Sequence, residues 1–166
     1  ALKTLVNGQP SFEVLKPYMP NSLNLKQLAK FMDSTFSGRL NEEKIKKLRD
    51  SWKGKLVIKG TESIHDIEKA CKLGVDGVII SNHGGRQVDV GQATVDSLKT
   101  IAPIYKDKLK IMMDSGIRGG ADVARVLGVG SDFTFLGRSF MYGVSALGSN
   151  GGTHTCLLYT SDAADD

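Results

Sequence analysis

The chain has 166 residues, 40% of them hydrophobic and 24% charged, with a formal net charge of +4 at pH 7. This is the composition of a soluble globular chain, no apolar run approaches the roughly 20 residues of a membrane span, and the length falls short of the about 250 residues typical of a complete eight-stranded α/β barrel. The lysines responsible for the positive charge lie largely on helix-like stretches such as 42–53, where a solvated face accounts for them without a nucleic-acid partner. Cys71 and Cys156 form no CxxC pair, so neither a disulfide framework nor a metal site follows. That cysteine usage makes a reducing cytosol the expected setting, and no basic-then-apolar leader is visible at the start of the sequence.

In chain order, residues 1 to about 20 carry three prolines and no clear hydrophobic period, which reads as loop with short ordered pieces. A helix is predicted over 25–32. A second is predicted over 42–52, capped by Asn41, with Ile45, Leu48 and Trp52 on one face and Gly54 ending it. Four short apolar runs then follow at 56–58, 77–80, 110–113 and 133–136, with helices predicted over 64–73, 92–101, 121–127 and 141–147. Continuous apolar runs alternating with helices predict parallel strands buried on both faces.

The chain also repeats itself. At a shift of 56 residues, Gly60 falls on Gly116, Asp66 on Asp122, Gly74 on Gly130 and Asp76 on Asp132, and the apolar runs coincide. A period of that size holds two βα units. The expected fold is α/β, the C-terminal half of a (β/α)₈ TIM barrel with four βα units. An open doubly wound sheet is the alternative, but no strand leads into a GxGxxG turn.

In a parallel barrel, chemistry gathers at the C-terminal ends of the strands. Those ends carry Lys59, Ser81-Asn82-His83, Asp114-Ser115-Gly116 and Gly137-Arg138. His83 precedes Gly84-Gly85, a sequence that can turn sharply and project the imidazole into a cavity, where its near-neutral pKa suits a general base. Arg86 can hold a carboxylate through two parallel hydrogen bonds beside it. The Gly-rich turns 114–120 and 137–138 leave consecutive strands and enter helices, a phosphate-binding arrangement in barrels, with Arg118 and Arg138 supplying positive charge.

Ser81-Asn82-His83-Gly84-Gly85-Arg86-Gln87 resembles the active-site signature of the FMN-dependent L-2-hydroxy-acid oxidases and dehydrogenases, a family that includes glycolate oxidases, lactate oxidases and flavocytochrome b2. Val57-Ile58-Lys59-Gly60, Asp114-Ser115-Gly116-Ile117-Arg118 and Leu136-Gly137-Arg138 resemble its other late-barrel motifs, in order. Asn7-Gly8-Gln9-Pro10 and the helix carrying Trp52 are most similar to the bacterial respiratory L-lactate dehydrogenase branch. The resemblance implies FMN as cofactor and oxidation of a small 2-hydroxy acid, L-lactate first among them, with electrons passed to a quinone or cytochrome, or alternatively to O₂. It implies His83 as the base, whether a carbanion or a hydride carries the electrons, and Arg86 as the substrate-carboxylate ligand. It further implies Lys59 at the flavin N1/O2 edge and Asp114 on the ribityl chain. Gly116, Arg118, Gly137 and Arg138 would surround the phosphate, with Ser81 and Ser115 completing the cofactor set. Gly119 departs from the Arg or Asn usual at its place, with little consequence expected while Arg118 is present. A homo-oligomeric parent, with peripheral contact at the inner membrane left open, is the expected assembly and location.

The resemblance also sets expected boundaries. Residues 1–53 read as loop and helices preceding the barrel segment, 54–155 as an FMN-binding (βα)₄ half barrel, and 156–166 as a non-native tail resembling the in-frame translation of a transposase-type sequencing adapter. On that reading the chain is part of a longer parent, whose upstream half carries the remaining substrate and flavin contacts.

Overall fold

The computed structural model describes residues 13–19, 24–35 and 40–160. It forms two compact units, residues 1–40 and 41–166. In the first unit a 3-10 turn, Glu13–Tyr18, and helix α1, Leu25–Thr35, are the described elements. The expected loop over residues 1–20 lies mostly outside the described residues.

The second unit begins with α2, Glu42–Ser51. Asn41 caps it as predicted, its side-chain oxygen accepting from the Lys44 amide at 2.9 Å, and Glu42 and Glu43 in the first turn oppose the helix dipole. The predicted apolar face is only partly realised: Ile45 is buried, whereas Leu48 is 49% and Trp52 56% exposed. Trp52 is the C-cap, not the last helical residue. Its indole donates to the Lys55 carbonyl at 3.0 Å and lies across Gly54, which has no side chain to obstruct it.

Four βα units follow. Strands β1 (Val57–Lys59), β2 (Gly77–Ile80), β3 (Lys110–Met113) and β4 (Phe133–Thr134) alternate with α3 (Ile64–Lys72), α4 (Thr94–Tyr105), α5 (Gly120–Val129) and α6 (Arg138–Leu147). The strands form one parallel sheet in the order β1-β2-β3-β4. Successive parallel neighbours joined by helices are the construction of a (β/α)₈ barrel wall, and the chain forms half of one. A final helix, α7 (Gly151–Thr160), runs past Thr155 and buries Tyr159.

Several helices differ from their predicted bounds: α1 and α5 run three and two residues further, to Thr35 and Val129, and α4 and α6 differ most. α4 runs on to Tyr105 through Pro103, because Leu98, Ile101, Ala102 and Tyr105 keep one face buried, and that burial outweighs a missing helix hydrogen bond near the end. α6 starts at Arg138 rather than Met141, which brings a cation to the first turn. β4 pairs over two residues rather than four.

The core lies between sheet and helices. Ile58, Val78, Ile80, Ile111 and Met113 meet Ile67, Leu98, Ile101 and Val126, most of them with no accessible surface. Each such side chain contributes about 1.5–3 kcal/mol by leaving water. The opposite sheet face differs from the expectation of burial on both sides: Val57, Phe133 and Phe135 are 40%, 57% and 41% exposed. That face is the inner side of a barrel wall, which is filled only when opposing strands close over it.

The 56-residue repeat has a structural basis. Gly60 and Gly116 both leave a strand at positive φ (+95° and +79°), and Gly74 and Gly130 both end a helix there (+72° and +121°). Asp76 accepts from Lys55 Nζ and the Leu56 amide, each at 2.9 Å. Asp132 accepts from Lys110 Nζ and the Ile111 amide, each at 2.8 Å. The same carboxylate clasp therefore joins β1 to β2 and β3 to β4.

Candidate active site

All four strands point their C-terminal ends the same way, and the polar residues of those ends converge. A cavity of about 240 Å³ is lined by Lys59, His83, Arg86, Asp114, Arg118 and Arg138, together with Ser115, Gly116 and Gly137. Nine of the ten predicted site residues thus share one space. The tenth, Ser81, is buried beneath it at 2% exposure.

The His83 turn is built from its neighbours. Asn82 folds its side-chain oxygen over the chain and accepts from the amides of Gly84 (2.9 Å) and Gly85 (3.2 Å). His83, Gly84 and Gly85 then all take positive φ, +56°, +70° and +73°. For histidine that conformation costs about 1 kcal/mol relative to ordinary backbone. Gly84 is required more strictly: a Cβ there would overlap the Arg138 guanidinium, which donates to the Gly84 carbonyl at 2.7 Å. The imidazole stands over Gly60, whose missing Cβ would lie 3.4 Å from Cε1.

Below the turn, Lys59 Nζ meets Asp114 Oδ2 at 2.6 Å and donates to Ser81 Oγ at 2.8 Å. Ser115, another non-glycine residue at positive φ (+77°), donates to Asp114 Oδ1 at 2.8 Å and accepts from the Gly84 amide at 3.0 Å. Burial raises the Asp114 pKa, but hydrogen bonds from Lys59, Ser81 and Ser115 and the Lys59 charge together outweigh it, and the net shift is downward. Asp114 is accordingly a carboxylate at neutral pH.

Four cations therefore face a single carboxylate in this cavity. Among the described residues, the guanidinium groups of Arg86 and Arg118 have no ion-pair partner. Gly119 and Gly137 cap α5 and α6 without a side-chain hydrogen bond, which leaves first-turn N–H groups free for an anion. A Cβ at Gly116, Gly119 or Gly137 would meet nothing within 4 Å. An uncapped, side-chain-free cradle flanked by Arg118 and Arg138 fits the phosphate end of FMN.

A larger cavity of about 570 Å³ opens on the other side of the His83 turn, lined in part by Asn82, Asp89, Thr94, Asp122, Arg125 and Val126. It is lined by no histidine, and its carboxylates Asp89 and Asp122 offset the charges of Arg125 and Arg138. The smaller cavity is the chemical site. Sequence reasoning missed the structural parts of Asn82 and of Thr94, whose hydroxyl donates to the Ser115 carbonyl at 3.3 Å. The Asn-x-Gly pair was the available signal for the first, since asparagine commonly caps such turns; the second carries no local signal.

Half a parallel barrel with a histidine, an arginine without an ion-pair partner and an arginine-flanked glycine cradle at its strand ends fits the class of barrel flavoenzymes. The chain is a member of the FMN-dependent dehydrogenase family, whose profile matches residues 3–166. It is 38% identical over 148 residues to an L-lactate dehydrogenase of Vibrio cholerae, covering 89% of this chain and 39% of that protein. It is 40% identical over 139 residues to an FMN-dependent alpha-hydroxy acid dehydrogenase of Schizosaccharomyces pombe, covering 81% and 34%. Among solved structures, a monotopic membrane protein, (S)-mandelate dehydrogenase, superposes with a TM-score of 0.84 at 32% identity, covering 97% of this chain and 42% of the other. Flavocytochrome b2 with benzoylformate gives 0.71 at 36% identity, covering 75% and 33%. The chain spans about two fifths of the length of the curated relatives it matches.

Proposed function

We propose that a full-length protein carrying this chain oxidises an L-2-hydroxy acid, L-lactate to pyruvate first among the candidates, with FMN as cofactor. The observation that carries the reading is the placement of His83 and Arg86 on one strand end, opening into the same cavity as Lys59, Arg118 and Arg138. FMN, when bound, supplies the two-electron acceptor that none of the protein side chains can provide. The residues that would hold it are Gly116, Arg118, Gly137 and Arg138 at the phosphate, Asp114 and Ser115 along the ribityl chain, and Lys59, supported by Ser81, at the N1/O2 edge.

The protein's own part begins with the substrate carboxylate, which the free Arg86 fork holds in two parallel hydrogen bonds. That contact orients the C2 carbon and its hydroxyl toward the imidazole. His83 then takes a proton, from the hydroxyl if C2–H leaves with its electron pair, or from C2 itself if deprotonation comes first; it is the base in both orders. Loss of two electrons and two protons converts the hydroxy acid to the 2-oxo acid.

A quinone or cytochrome is the proposed electron acceptor; the L-lactate dehydrogenase relatives, named as dehydrogenases and not as oxidases, support only an acceptor other than O₂. Likeness to mandelate oxidase, with a TM-score of 0.71 at 28% identity, supports O₂ as the second reading. No helix among the described residues is long and apolar enough to cross a membrane. A cytoplasmic homo-oligomer is the proposed setting, and the monotopic relative supports only its peripheral contact with the inner membrane. The test is anaerobic mixing of the flavin-loaded full-length protein with L-lactate, glycolate and longer 2-hydroxy acids. Rapid bleaching of the flavin by at least one, fastest with L-lactate, is expected; a flavin that none of them bleaches would overturn the reading.

A further inference from the structure

We infer that Ser81 and Ser115 are positioning residues, through whose hydroxyls the Lys59–Asp114 pair grips the two peptide groups that flank His83. This deepens the reading of His83 as base and rests on it. The geometry is two-armed. On one side Ser81 Oγ accepts from Lys59 Nζ at 2.8 Å and from the His83 amide at 3.1 Å. On the other, Ser115 Oγ donates to Asp114 Oδ1 at 2.8 Å and accepts from the Gly84 amide at 3.0 Å. The arms meet where Lys59 and Asp114 pair at 2.6 Å.

Three features set these serines apart from incidental buried hydroxyls. Ser81 is 2% exposed, and its oxygen satisfies two donors from separate elements. Ser115 sits at φ +77°, a conformation glycine adopts more easily, so backbone shape alone does not call for a serine. The residue the two arms enclose, His83, is itself held at φ +56°. Such a conformation persists only where surrounding contacts over-determine it. Arg138 completes the hold by taking the Gly84 carbonyl at 2.7 Å. The base therefore sits on a turn fixed by groups from all four strand ends.

The experiment compares Ser115→Gly and Ser81→Ala with the parent 166-residue chain. Amide hydrogen exchange is read residue by residue by mass spectrometry, and histidine Cε1–H signals are read by NMR. Glycine is at ease at φ +77°, so Ser115→Gly removes the hydroxyl without backbone strain. The Gly84 amide, left with Asn82 Oδ1 at 2.9 Å as its acceptor, should then exchange faster by a factor of about 3–10 while the His83 amide stays protected. Ser81→Ala should do the reverse. In both, the His83 ring signal should shift or broaden while those of His65 and His154 stay in place. An unchanged Gly84 amide in Ser115→Gly, an unmoved His83 signal, or equal deprotection throughout 77–80 and 110–113 would each overturn the inference; the last would mark general stabilisation only. Neither readout depends on proton abstraction by His83, so an absence of turnover would bear on that role alone.

Discussion

At the scale of single residues, the site is an exercise in backbone conformation as much as in charge. Gly84 takes a left-handed conformation with the Arg138 guanidinium directly against its Cα. Gly84→Ala adds both a conformational penalty and an overlap. The expected loss is about 1–3 kcal/mol in urea unfolding, together with displacement of Arg138 from the phosphate cradle. A variant as stable as the parent would show that the turn has room the structure does not allow it. Most of the chemistry at this scale is legible in the sequence because it is contiguous: Ser81, His83 and Arg86 lie within six residues. The contacts that fix those groups are not, since Lys59 reaches Ser81 across 22 positions and Arg138 reaches Gly84 across 54. The sequence suggested a phosphate role for Arg138; only the fold shows that it also braces the turn that carries His83.

At the scale of elements, the apolar runs and turn glycines were enough to place α2 and the strands and helices of the four βα units, each of which is short and locally consistent, but not α7. What they could not weigh was competition. Burial of the α4 face against the core outvotes Pro103, and the Trp52 end of α2 and the inner sheet face are less covered than their hydrophobicity predicts. The Asp76 clasp yields a pH prediction. Hydrogen bonds from Lys55 and the Leu56 amide, with the nearby Lys55 and Arg49 charges, hold its pKa at about 2 against an ordinary 3.8. A folded-state pKa below the unfolded one means that the stabilisation is complete above the unfolded value and drains away as pH falls from about 4 toward 2. Urea midpoints across that range should fall in the parent and fall less in Asp76→Asn; parallel slopes would assign the acid sensitivity elsewhere. The α6–α7 crossing gives a second prediction. Gly143 and Gly151 bring their backbones into direct contact, and a Cβ at Gly151 would overlap the Gly143 carbonyl. Gly151→Ala should cost about 1–3 kcal/mol and release Tyr159 from its hydrogen bond to Ser139. Tyrosine fluorescence alongside urea unfolding would report both, and no change in either would mean that the helices slide apart freely.

At the scale of the whole molecule, four strands make one wall of a barrel whose inner face carries Val57, Phe133 and Phe135 in partial exposure. The proposed cofactor cradle draws its phosphate side from Gly116, Arg118, Gly137 and Arg138, and the chain spans about two fifths of its relatives. FMN held from one side should bind this chain weakly, and a fluorescence titration is expected to show no stoichiometric complex; a tight yellow complex would contradict that view. The central claim concerns chemistry, and His83→Asn tests it most directly. Asparagine tolerates the left-handed backbone at φ +56°, so the turn and the FMN cradle should persist while the base is lost. The measurement is the anaerobic rate of flavin reduction by L-lactate in the FMN-loaded full-length protein. An unchanged flavin spectrum and FMN affinity are expected, with a reduction rate lower by about 10²–10⁴. A His83→Asn enzyme that reduces its flavin at the parent rate would contradict the central claim.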